Sequence, residues 1–358
     1  MTAPGHQHFI DWLKAAGMLL ILVGHAIGGT DVLFNSVSQP IYSKQLGVAF
    51  FVFVAGWGLS SARRPRIREV YNRAFALYFY GLVCALLLSA AYALAGRDIN
   101  ESNYLPLLAG ANVFLNYFPA NPTTWYIGMY LHLLLVWWLV GPRRVTAVQV
   151  LLVTLAEIAV RGLWLGLDRP FTAYMMVTNW LGIFALGMHL GTRGDTPSVA
   201  RGWLWLSAWL LLLAAWRFLP VPLQLDDSFP LRRNRALPGD AWVVSCLVSA
   251  VYLVNTLLAF QVFRCWRSNA LVRVISRNTL LIFILHMPLY YAANPVLRPL
   301  DSLWLRKSAL VVGSLLLLCL LSELVNRVVP LPALRERIAG MLRLPSARGP
   351  GAGPAASV

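Results

Sequence analysis

Polar and apolar positions alternate along this chain in long blocks, not from one residue to the next. Apolar runs fall near 10–29, 46–62, 74–95, 124–141, 145–166, 175–191, 202–219, 240–263, 279–297 and 308–329. The hydrocarbon core of a bilayer is about 30 Å thick, and a helix rising about 1.5 Å per residue needs roughly 20 apolar residues to cross it. Each run therefore predicts a spanning helix. A helix satisfies its backbone groups internally, as a medium without water requires. A lipid-facing barrel would instead alternate polar and apolar positions over strands of about ten residues, which these runs do not. The pattern predicts an all-α polytopic membrane bundle of about ten transmembrane helices. The first run is long, lacks Lys or Arg just before it, and is followed by "GHAIGG" with no convincing cleavage site, so it reads as a permanent helix.

Composition agrees: 58% of the 358 residues are hydrophobic, 12% are charged, and mean hydropathy is +0.64. That balance excludes an ordinary soluble domain. The longest connections, near 96–123 and 220–240, are rich in Pro, Asn and Asp and read as loops. Residues 1–329 form one membrane domain, and 330–358 form a tail whose Pro, Gly and Ala content predicts disorder from about 345.

The net charge of +16 changes the picture through its distribution. Arg and Lys concentrate in 62–73, 142–145, 192–201, 264–277 and the tail, whereas the alternate connections hold about half as many and most of the acids. This bias predicts both termini on the cytoplasmic side. It accounts for the basic balance without a nucleic-acid partner and favours anionic membrane lipid. Cys84, Cys246, Cys265 and Cys319 have no paired spacing, and no Walker, dinucleotide or HExxH motif occurs. Neither a metal nor a bound cofactor is expected.

Chemistry is therefore sought among ionisable residues inside helices, which are costly and usually face a cavity or a partner. In "DWLKAAGMLLILVGHAIGGT" (11–30), Lys14 and His25 are 11 positions apart. At about 100° per residue they fall within about 20° of one face and roughly 16 Å apart along the axis. Asp11, Lys14, Met18, Ile21 and His25 form one stripe, while Gly17, Gly24 and Gly28 lie off it and suit close helix packing. Lys14 alone could simply snorkel to headgroups; a lysine and a histidine on one face argue for a functional pore.

His286 lies in "LHMP", where Pro288 lacks a backbone donor and frees a carbonyl. It reads either as a core histidine on that broken turn or as part of the site, whereas His132 reads as a core histidine. Trp125 reads as an interfacial anchor. Glu157 and Arg161, and Glu323 and Arg327, are acid-first pairs four apart that predict local pairing. Glu157 also approaches the depth of His25, which makes it a candidate to orient the imidazole.

A basic residue, ten further residues and a histidine in the first helix, with an Asp shortly before, resembles acyltransferase family 3 of integral membrane O-acyltransferases. "FFVFVAGWGLSS" (50–61), "TTWYIGMYLHLLLVWWL" (123–139) and "LIFILHMPLYY" (281–291) are similar to its second-helix, mid-chain and late Leu-His-x-Pro phrases. The chain departs from the pattern at Ala55, where a serine is usual, at Trp57, where Phe is usual, and at Leu77, near where a second arginine is usual after Arg73. Its Arg63-x-x-Arg66 stands about ten residues early.

The resemblance implies an acyl-CoA co-substrate, acetyl-CoA in the first instance. The acceptor would be a hydroxyl on a glycan or another cell-surface or secreted molecule, and the location a bacterial cytoplasmic membrane. In that frame His25 is the general base, Lys14 guides the donor, Arg63, Arg66 and Arg73 bind its phosphates, and Trp125 faces the acceptor. The alternative is a multipass transporter of a small solute using a Lys14, His25 and Glu157 path. Carriers often show paired broken helices, and only the Leu-His-x-Pro break is evident.

Overall fold

In the computed structural model, residues 7–26, 41, 43–60, 67–96, 104–115, 121–140, 144–193, 198–218 and 239–344 are described. Each of the ten apolar runs forms a helix: α1 (His8–Ala26), α2 (Ser43–Ser60), α3 (Ile67–Leu94), α4 (Trp125–Val140), α5 (Ala147–Gly166), α6 (Leu181–Gly191), α7 (Val199–Phe218), α8 (Asp240–Phe263), α9 (Ala270–Leu297) and α10 (Leu303–Val328). An eleventh, α11 (Leu331–Met341), follows. Among the described residues there is no strand. Seven of these helices are long and apolar enough to cross a membrane, and the chain is a multi-pass membrane protein. Of the ten that match apolar runs, the three outside that count have local reasons. α2 opens on Ser43, Lys44 and Gln45, which dilute its hydropathy, while α6 and the apolar part of α7 are short.

Helix ends follow side-chain chemistry. α5 starts at a reciprocal capping box in which Thr146 Oγ1 accepts from the Gln149 amide and Gln149 Oε1 accepts from the Thr146 amide. α9 begins nine residues before its apolar run, because Asn269 Oδ1 accepts from the Val272 amide at 2.9 Å and caps a polar first stretch. α6 begins later than the apolar pattern at 175 suggests. Pro170–Met175 and Val177–Asn179 form short separate turns there, parted at the extended Met176.

The bundle is centred on α1, which packs against α2 and α9. The off-stripe glycines expected to permit close approach do so. A Cβ on Gly17 would lie 2.9 Å from the Gly47 carbonyl oxygen of α2, and Gly24 faces Ser43 and Lys44. Gly28 lies outside the described residues. α9 runs alongside α1 in the same direction. Ser276 Oγ donates to Asp11 Oδ1 at 2.8 Å at one end, and Tyr290 Oη donates to the Leu22 carbonyl at 3.0 Å toward the other. Leucines such as Leu87, Leu151, Leu211 and Leu320 face outward, as lipid-facing positions should.

Glu323 departs from the local pairing expected with Arg327. Its Oε1 accepts from Arg277 Nε at 2.6 Å and from Asn278 Nδ2 at 2.5 Å, tying α10 to α9. Spacing along one helix does not register a better donor on the next. The tail begins as structure: in α11, Glu336 pairs with Arg68, and the Arg335 carbonyl accepts from Tyr71 Oη at 2.8 Å. The disorder expected from 345 falls outside the described residues.

Candidate active site

The parallel run of α1 and α9 brings two imidazoles together. The His25 and His286 rings are 4.9 Å apart, centroid to centroid, at 60°. His25 Nδ1 is 2.9 Å from the Ile21 carbonyl oxygen of its own helix, and His286 Nδ1 is 2.6 Å from that of Phe283. A carbonyl only accepts, so each Nδ1 carries the proton, and each neutral imidazole keeps its lone pair on Nε2. His286 is fully buried, and its Nε2 has no partner among the described residues. His25 keeps accessible surface where it borders cavities.

Pro288 and Pro295 lie within α9, which continues through them. Pro288 cannot donate to the Ile284 carbonyl four residues back. That carbonyl instead accepts from Asn121 Nδ2 at 2.8 Å. Asn121 is fully buried just before α4, and its Oδ1 accepts from Thr123 N at 3.1 Å and Thr123 Oγ1 at 2.9 Å. This clamp fixes the His286 turn against the start of α4, where Trp125 stands. The freed carbonyl was legible from Leu-His-x-Pro; its partner, 163 residues away, was not.

Two cavities follow the α1 stripe. One, of about 250 Å³, is lined by Lys14 and Arg73 with Phe51, Ala55, Tyr126 and Tyr130. The other, of about 210 Å³, is lined by His25 and His286 with Lys44, Thr123, Trp125 and Tyr174. Phe283 belongs to both walls, and its ring lies 4.9 Å from Tyr126 and 5.7 Å from His286. Lys14 and His25 thus face successive chambers, as their shared helix face predicted. Arg73 stands with Lys14, and its guanidinium carbon lies 5.7 Å from the Trp137 ring. Arg63 and Arg66 lie outside the described residues.

Trp125 is buried, not at a lipid interface. Its ring stacks on Trp180 at 6.1 Å and meets Tyr174 at 5.0 Å, forming an aromatic side of the His25 cavity. His132 stacks on Phe114 at 5.0 Å and lines neither of these cavities.

Glu157 does not orient His25. Its Oε1 accepts from Arg161 Nη1 at 3.0 Å and from Ser249 Oγ at 2.8 Å, and its Oε2 accepts from the Gly182 amide at 2.8 Å. Arg161 also donates to Asn179 Oδ1 at 2.6 Å, to the Ser245 carbonyl at 2.6 Å, and to the hydroxyls of Ser245 and Ser249. Both side chains are fully buried, so each group must find its full set of partners locally. Comparable depth did not make the two residues neighbours, because the pair faces α8. The network still reaches the site from behind. Asn179 Nδ2 and Trp180 Nε1 both donate to the Tyr174 carbonyl at 3.1 Å, bracing the aromatic wall.

Sequence reasoning missed Lys44, Asn121, Thr123 and Tyr174. Lys44 carried a signal, as a cation at the start of an apolar helix; the others lie in or cap short helical turns between the long helices, and their value comes from the neighbours that folding supplies.

Against known proteins, the family model described as an acyltransferase domain, Acyl_transf_3, matches residues 7–323. No curated protein and no solved structure shows a significant match.

Proposed function

The chain belongs to this acyltransferase family and is a membrane acyltransferase, and on that premise we propose that it moves an acetyl group from cytoplasmic acetyl-CoA to a hydroxyl of a glycan or another cell-surface or secreted acceptor. The observation that carries the reading is the His25–His286 pair, with both Nε2 lone pairs available beside a chamber that shares Phe283 with the Lys14 and Arg73 chamber.

Acyl transfer needs an anchored donor, a base and stabilisation of the developing oxyanion. Arg63, Arg66 and Arg73 are suited to grip the phosphates of the donor, and Lys14 to guide its arm. With the thioester carbon past Phe283, the acceptor oxygen attacks it, and the hydroxyl proton passes to His25 Nε2. The tetrahedral intermediate collapses, the carbon–sulfur bond breaks, and the proton from His25 leaves on the sulfur. Lys44, on the same wall, is the nearby cation suited to the developing oxyanion. His286 Nε2 accepts a hydrogen bond from the acceptor and positions it. Cytoplasmic termini put Lys14 on the donor side and His25 toward the outer face of a bacterial cytoplasmic membrane.

The test is labelling of an acceptor from radioactive acetyl-CoA in membranes carrying the protein. Wild type labels it and His25→Ala does not; a folded His25→Ala that labels at the wild-type rate overturns the mechanism.

A further inference from the structure

His25 borders a second space. A cavity of about 340 Å³ lies against His25 and Ala26 and is otherwise lined by Asn294, Arg298, Arg306, Lys307 and Leu310. Three of its seven lining residues are cations and none is an acid. They converge from separate elements: Arg298 caps the end of α9, and Arg306 and Lys307 lie in the first turns of α10. Just beyond them, Ala309–Gly313 widens into a single π turn, a distortion often found at functional sites. Among the described residues neither arginine has a carboxylate partner, whereas Lys307 is buried and engaged.

These cations also run against the charge bias of the chain. They belong to the connection expected outside, where positive charge has no topological use. Like charges around one space repel, and an anion between them relieves that repulsion. Guanidinium groups match carboxylate and phosphate oxygens in paired hydrogen bonds.

We infer that the acceptor carries an anionic group, a carboxylate or a phosphate, which docks on Arg298 and Arg306 beside Lys307 while its hydroxyl reaches His25. This rests on the proposed role of His25 and narrows the acceptor from any hydroxyl compound to an acidic glycan or a phosphate-linked sugar. Two other anions could take the place: a lipid headgroup, or the phosphates of the donor itself.

The experiment reads occupancy beside His25, so that its failure is distinct from a failure of acetyl labelling. Protein in neutral phosphatidylcholine nanodiscs is treated with diethyl pyrocarbonate, and mass spectrometry follows the peptide bearing His25. Octyl glucuronide and octyl glucoside, below their micellar concentrations, are the anionic and neutral probes. The glucuronide is expected to protect His25 at about a tenfold lower concentration than the glucoside. The Arg298→Gln/Arg306→Gln variant is expected to erase that difference, and Arg298→Lys to keep part of it. Equal protection by the two probes in wild type overturns the inference without using any variant, as does a preference that survives the double substitution. If discs containing phosphatidylglycerol remove the preference, a headgroup fills the site and the acceptor reading falls. It falls equally if the double substitution weakens protection by acetyl-CoA, because the cations would then serve the donor.

Discussion

His25 and His286 present their rings to each other at 4.9 Å while each ties its Nδ1 proton to a carbonyl of its own helix. One tautomer is thereby imposed on both, and the two are distinguished by surroundings: both line the Trp125 chamber, but His286 is the more deeply buried, whereas His25 also borders the second cavity. Replacing His286 by Ala is expected to raise KM for the acceptor by about tenfold or more with a smaller change in KM for acetyl-CoA, the pattern of a lost positioning contact. Steady-state kinetics with each substrate varied in turn checks the split. An equal loss for the donor would remove His286 from the acceptor side.

A base with its lone pair on Nε2 works only while neutral. The acetylation rate is therefore expected to show an acid limb that belongs to His25, falling where its ring takes up a proton. A rate profile of the wild type extended from pH 9 down to pH 4 tests this, and a rate that stays flat across the acid side while the protein remains folded overturns it.

The Asn121 clamp predicts a stability effect. Asn121→Ala leaves the buried Ile284 carbonyl without its donor, a loss of about 1–3 kcal/mol. Asn121→Asp keeps the acceptor for Thr123 but cannot donate, and so should not rescue. Thermal unfolding in detergent is the measurement, and an unchanged midpoint for both variants would count against the clamp.

Glu157 is expected to behave as a strut. Glu157→Ala uncovers a fully buried arginine and should cost about 3–5 kcal/mol, seen as a lower unfolding temperature and less folded protein. The folded fraction should keep a kcat near that of wild type. A variant of normal stability whose kcat falls steeply would restore Glu157 to the catalytic group.

Phe283 lines both chambers, so on the proposed reaction its size should set what crosses. Phe283→Ala is expected to raise activity with butyryl-CoA relative to acetyl-CoA, and Phe283→Trp to lower both. Competition between the two donors reads the ratio directly.

The helices were legible because block length and apolar content determine which segments suit lipid, whatever their neighbours. Lys14 and His25 were legible as a pair because a helix maps eleven positions onto one face. Contacts between helices were not. The His25–His286 meeting joins positions 261 apart, and Glu323 chose Arg277 and Asn278 on α9 over the arginine one turn along its own helix. Local spacing succeeded for Glu157 and Arg161 because that pair is closed within one helix, yet it gave no warning that the pair turns away from His25. Arg298, Arg306 and Lys307 were visible as outer cations, but only the packing of α10 beside the end of α9 gathers them at one mouth.

The single ring shared by both chambers bears on something other than catalysis. Chambers joined without interruption, from the arginines at one end to the cations at the other, would make a wet conduit. Protons and ions would then leak down the gradients that the cell maintains. On the proposed reaction, Phe283, held between Tyr126 and His286, is the side chain past which an acyl group would have to be handed while water and ions are held back.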